Sequence, residues 1–132
     1  MPTIPWTSSK RGRPATVVQA SRLELRRARD VPGFLVAALR IRRATLRAPG
    51  SNGLSLRAAP LSRTFWTLSS WEDRAGLSAF VRSDEHRAVM ERYRDSMAGS
   101  RFHTWVVDGA TEGPPSWGDA LERLEGVESA GG

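Results

Sequence analysis

From Thr16 to Leu25 apolar and polar residues alternate, with many β-formers. That is the period-two pattern of a strand. Pro32 opens a different period. Phe34, Ala38, Ile41 and Thr45 fall on one helical face, flanked by Leu35, Leu39 and Leu46, while Arg40, Arg43 and Arg47 extend the solvent side. Proline is tolerated in a first helical turn because its missing N–H has no partner there. Pro49-Gly50 stops this helix and Asn52-Gly53 turns the chain. Leu54, Leu56 and Ala58 alternate with Ser55, Arg57 and Ala59, which predicts a second strand ending near Pro60. Thr64 to Trp71 is a third strand, rich in aromatics and threonine.

Asp73 is placed to cap a helix carrying Leu77, Phe80 and Val81. Ser83, followed by Asp84 and Glu85, reads as a fresh N-cap, so the helical region bends there. Its second part, Asp84 to Met97, lines up His86, Met90, Tyr93 and Met97 and ends at Gly99. Arg101 to Val107 is a fourth strand. Ser116-x-x-Asp119 resembles a capping box for a short last helix with Trp117, Leu121 and Leu124.

The order β-α-β-β-α-β predicts an α+β, ferredoxin-like fold with a four-stranded antiparallel sheet and a C-terminal helix. Two helices cover one face of such a sheet. In the third strand Phe65, Thr67, Ser69 and Trp71 alternate with Trp66 and Leu68, so both faces are apolar or aromatic. The expectation is a homodimer that closes two sheets into an α/β barrel. Three segments follow: a flexible basic tail over 1–14, the ferredoxin-like domain over 15–109, and an extension over 110–132 with disordered last residues.

Composition narrows the classes. No run is long and apolar enough to span a membrane, and the polar N-terminus lacks the apolar core of a secretory signal. Cysteine is absent, which excludes thiolate metal sites and cysteine nucleophiles and suits a cytoplasmic protein. The net charge of +6 is unevenly spread. Residues 1–63 balance at +11 and residues 64–132 at −5. Nineteen of the twenty basic residues are Arg, a bias that fits codon choice in a GC-rich genome better than a nucleic-acid surface. Arg11-Gly12-Arg13-Pro14 matches the core of an AT-hook, but a single four-residue match running into a predicted strand does not favour DNA binding.

The segment Thr64-Phe65-Trp66-Thr67-Leu68-Ser69-Ser70-Trp71-Glu72-Asp73, followed by Ala79-Phe80-Val81-Arg82-Ser83 and His86-Arg87, resembles the antibiotic biosynthesis monooxygenase-like superfamily. Val31-Pro32-Gly33-Phe34 and Pro49-Gly50 are similar to its spheroidene monooxygenase-like bacterial branch. The resemblance covers about residues 15–108. It implies a ferredoxin-like protomer, a dimeric α/β barrel and a pocket between sheet and helices. Its members include cofactor-free oxygenases acting on polycyclic phenols, haem-degrading enzymes, isomerases and proteins with no assigned reaction. The haem-degrading pattern needs an Asn on the first strand, a Trp ending the third and a His on the second helix. Trp71 fits it, Thr16 to Leu25 has no Asn, and the His position is Met90. No cofactor is required by the pattern; a haem held by other ligands is compatible with it.

The expected function is therefore monooxygenase-like action on, or binding of, a hydrophobic or aromatic small molecule. A non-catalytic ligand-binding or scaffolding dimer is the alternative. His86 is the candidate base, and Arg101 or His103 the stabiliser of an anionic intermediate. Trp66, Trp71, Met90, Tyr93 and Trp105 are candidate ligand contacts, set against the blander reading of most of them as core. No Ser-His-Asp order, phosphate loop or metal-ligand spacing is present.

Overall fold

A computed structural model describes residues 3–8, 17–107, 115–127 and 130–131. The elements are β1 (Thr3–Ser8), β2 (Val17–Leu25), α1 (Val31–Arg47), β3 (Ser51–Ala59), β4 (Thr64–Trp71), α2 (Arg74–Val81), α3 (Asp84–Tyr93), β5 (Met97–Val106), α4 (Trp117–Glu125) and β6 (Ala130–Gly131). All strand pairs are antiparallel, in the order β1-β3-β4-β2-β5-β6. The inner four, β3-β4-β2-β5, have the strand order of a ferredoxin-like fold.

The sequence signals act where expected. Asp73 accepts a hydrogen bond from the Gly76 N–H at 2.8 Å and starts α2. Ser83 accepts from the His86 N–H at 3.4 Å and starts α3, so the helical region does break there. Ser116 accepts from the Asp119 N–H and starts α4. Gly50 turns the chain out of α1 at φ 85°, where an L side chain would be strained.

Three expectations are corrected. The sheet has six strands, because Thr3–Ser8 of the expected tail pairs with β3 and Ala130–Gly131 pairs with Gly99 and Ser100. The helix expected to reach Met97 stops at Tyr93. After one 3-10 turn, Met97 opens β5 opposite Leu25, and both side chains enter the core with Phe34 and Phe65. That burial outweighs the helical spacing of Met97, because an apolar side chain is stabilised wherever it leaves water.

The third correction concerns the outer face of the sheet. The expectation places Trp66 and Leu68 on an outer face covered by a second copy. There Val18, Ala20, Leu68 and Trp105 instead form a cluster with Ala120 and Leu124 of α4, with Trp6, Trp66 and Trp117 packed against it. The chain thus covers this face itself. Helices α1, α2 and α3 lie on the opposite face. Two clusters form there: Leu23, Leu25, Phe34, Phe65 and Tyr93 at one end, and Val17, Trp71 and Leu77 at the other.

Candidate functional site

Strand alternation sends Val17, Gln19, Ser21, Leu23 and Leu25 of β2 toward the helices. Their β4 partners are Trp71, Ser69, Thr67 and Phe65. Apolar side chains therefore sit at both ends of this face and polar ones in the middle. The middle is not filled by helix. A cavity of about 710 Å³ lies over it, between the sheet and α1, α2 and α3. That is within the roughly 300–1,000 Å³ common for small-molecule sites.

Its floor carries a polar stripe. Ser21 Oγ and Thr67 Oγ1 are 2.5 Å apart and share a hydrogen bond. Ser69 Oγ accepts from the Trp71 Nε1–H at 3.0 Å. The Gln19 side chain lines the cavity and makes no hydrogen bond among the described residues, so both ends of its amide are open to a ligand. The remaining lining is mostly apolar, with Leu35, Leu39, Val81 and Phe102 exposed at its edges.

One end of the cavity is aromatic. Trp71 and Phe80 have ring centroids 5.3 Å apart, and Phe80 and His86 meet edge to face at 5.3 Å. All three line the cavity. Trp71 is held by burial and by its bond to Ser69. His86 is held by a second hydrogen bond: Nδ1 lies 3.1 Å from the Val81 carbonyl oxygen. A carbonyl oxygen has no proton to give, so Nδ1 carries the hydrogen and Nε2 of the neutral ring keeps its lone pair. Burial pushes His86 below the ordinary histidine value, against an upward pull from that carbonyl. The ring is therefore neutral at pH 7, a base with its lone pair free.

The eight side chains singled out from the sequence do not form one site. His86, Trp71 and Met90 line the cavity. Tyr93 is buried behind it, edge to face with Phe34 at 5.1 Å. Arg101, His103 and Trp105 alternate onto the other face, opposite Arg22, Ala20 and Val18. There His103 stacks on Trp105 at 5.5 Å. Trp66 borders the large cavity, but it packs with the outer-face cluster under α4. A sheet thus separates His86 from its expected cationic partners. The residues not foreseen are Gln19, Ser21, Thr67, Ser69 and Phe80. Among the described residues no three His, Asp or Glu gather as a metal site, and no helix is long and apolar enough to cross a membrane.

A family model described as a domain of unknown function (DUF3291) matches residues 10–132, and the chain belongs to that family. No curated protein matches it. Among solved structures it is similar to a "putative monooxygenase" from Lactobacillus acidophilus NCFM, with TM-score 0.65 and 12% identity over 77% of this chain and 48% of that one. It is similar to a conserved protein from Methanosarcina mazei Go1, with TM-score 0.62 and 13% identity over 70% and 92%. It is also similar to SnoaB, a cofactor-independent oxygenase from Streptomyces nogalater, with TM-score 0.59 and 15% identity over 70% and 93%. The chain spans about half the length of the Lactobacillus protein. At these identities the likeness is one of fold alone.

Proposed function

We propose that this DUF3291 protein binds a hydrophobic or aromatic small molecule between its sheet and helices and oxidises it with dioxygen, using His86 as the base. The observation that carries this reading is the neutral His86 ring on the cavity wall, oriented by the Val81 carbonyl. The apolar walls suit a flat ring system, and the Gln19 amide and the floor hydroxyls suit an oxygen on it. Nε2 would remove a proton from an acidic C–H or O–H of the ligand. Donors on the floor would hold the negative charge that develops. The anion is the electron source for dioxygen. Where the acidic carbon is a methylene, CH2 and O2 give C=O and H2O, so no external reductant is needed.

A haem is the cofactor most compatible with the resemblance to the spheroidene monooxygenase-like branch. Of the residues lining the cavity, His86 would hold it through Nε2 and Arg87 would offer a cation to one of its carboxylates. Bound there, it would supply oxygen activation, while the chain's part would still be to orient His86 and exclude water. The second reading is a non-catalytic carrier of the same fold. It is favoured by the Arg101 and His103 positions, which leave His86 without the expected cationic pair.

The test is oxygen uptake with a panel of hydroxylated polycyclic compounds bearing an acidic methylene. His86→Ala is compared with the unaltered protein, and an absorption spectrum is taken of each as purified. Uptake that falls at least about a hundredfold in His86→Ala supports the base role. Tight binding without uptake moves the protein to the carrier reading. A Soret band lost in His86→Ala gives His86 to a haem instead.

A further inference from the structure

The second cavity lies on the other side of the sheet. It measures about 310 Å³ and is bounded by Arg22, Trp66, Arg101, Leu121, Leu124 and Glu125. Arg22 and Arg101 are direct partners across β2 and β5, and Trp66 is the partner of Arg22 on β4. Three consecutive strands thus place an indole and two guanidinium groups in one row, facing α4. Like charges directly opposite in a sheet are destabilising, so such a pair calls for a counter-charge.

The chain supplies little. Arg22 Nη1 is 3.7 Å from Glu24 Oε2, a loose and partly exposed pair. Arg101 is in neither of the ion pairs found among the described residues. Its Nε is buried and has no hydrogen-bond partner among the described residues. A buried N–H left unpaired in this way is costly. Glu125 lines the cavity, yet it too is in neither ion pair.

We propose that this cavity is a second ligand site, and that it takes the carboxylate of a small acid with an apolar body on Arg101, with Arg22 beside it. A planar guanidinium binds a carboxylate through two parallel N–H donors, and the Arg101 side chain borders the cavity. Trp66, Leu121 and Leu124 give the apolar body its walls. The volume is that of roughly ten waters, which admits a one-ring acid. The site does not depend on the reading of the larger cavity, which lies across the sheet and turns on His86.

The protein is titrated with phenylacetate and, separately, with phenylacetamide. Heat is measured, and the Nε–H signal of Arg101 is followed by NMR. The expected result is saturable binding of one phenylacetate per chain that moves the Arg101 Nε–H signal, with the amide at least tenfold weaker. Arg101→Gln and Arg101→Lys should each weaken phenylacetate at least tenfold, since lysine keeps the charge but loses the fork. Equal binding of acid and amide would overturn the proposal, as would no saturable binding of phenylacetate. So would acid binding that leaves the Arg101 signal unmoved, which puts the ligand elsewhere. Should either variant fail to fold, the acid–amide comparison and the Nε–H signal of the unaltered protein decide the matter.

Discussion

His86 is tied back to Val81 across the bend between α2 and α3, with Nδ1 3.1 Å from the carbonyl oxygen. The bond fixes which nitrogen is basic, and burial lowers the pKa. The folded-state pKa lies below the unfolded value of about 6.5. Above the unfolded value His86 is neutral in both states. As pH falls from there through the folded pKa, the unfolded chain takes up its proton first and stability is lost. Urea midpoints measured between pH 8 and 5 should therefore decline toward acid by less in His86→Gln than in the unaltered protein. Any turnover that uses His86 as base should persist below pH 6.5 and fall only as the ring itself protonates.

The Gln19 amide lies on the floor of the large cavity without a hydrogen-bond partner among the described residues. Gln19→Leu should weaken a phenolic ligand about fivefold, the worth of one hydrogen bond of roughly 1 kcal/mol. Binding of the deoxygenated analogue should hold steady or improve. Competition of the two compounds for one fluorescent ligand checks this. Equal losses for both would place the ligand's oxygen away from Gln19.

Gly50 brings the turn after α1 against the first residues of α2. A Cβ there would meet the Gly76 Cα at 3.4 Å, at a φ of 85°. The Gly50 carbonyl also accepts the Glu72 N–H at 2.8 Å. Gly50→Ala should cost more than about 1 kcal/mol. Asp73→Ala, which removes the cap of the same helix, should cost about 1 kcal/mol. Chemical denaturation measures both.

The C-terminal helix covers apolar side chains that would otherwise face water. Leu124, 2% exposed, packs over Val18, Ala20 and Leu68. Leu124→Ala should destabilise by about 2–5 kcal/mol. Removal of residues 115–132 should bare the outer face, raise ANS fluorescence and increase self-association in sedimentation relative to the full chain. A truncated chain that sediments like the full one would show that this face does not drive pairing.

Much of the fold was legible because its signals are local. Asp73, Ser83 and Ser116 each announce a helix start, and β2 and β4 announce themselves by alternation and β-formers. Residues whose place depends on distant partners were not legible. Met97 follows the helical spacing of His86 and Met90, yet it enters the sheet because Leu25 lies opposite. Thr3–Ser8 looks like tail until β3 offers it an edge. At the site, His86 and Trp71 could be picked by chemistry, but Arg101 and His103 could not be assigned a face without the register. One signal was available and went unread. Gln19 and Ser21 lie between Val17 and Leu23 on the core-facing side of β2, and Thr67 and Ser69 lie between Phe65 and Trp71 on β4. Polar residues at the centre of a buried face mark space that the core does not fill.

Ile4 lines the large cavity, although it stands on β1, an edge strand that pairs, among the described residues, with β3 alone. The strand is held by the Ser55 hydroxyl on the Ile4 carbonyl and by Arg42 on Thr7. Strands bonded along one side open at lower cost than inner ones. Peeling β1 away would unseat one wall while leaving the paired core of β4, β2 and β5 intact. Entry and exit of the proposed ligand would then depend on Thr3–Ser8, and amide exchange at Ile4 and Thr7 would report the traffic.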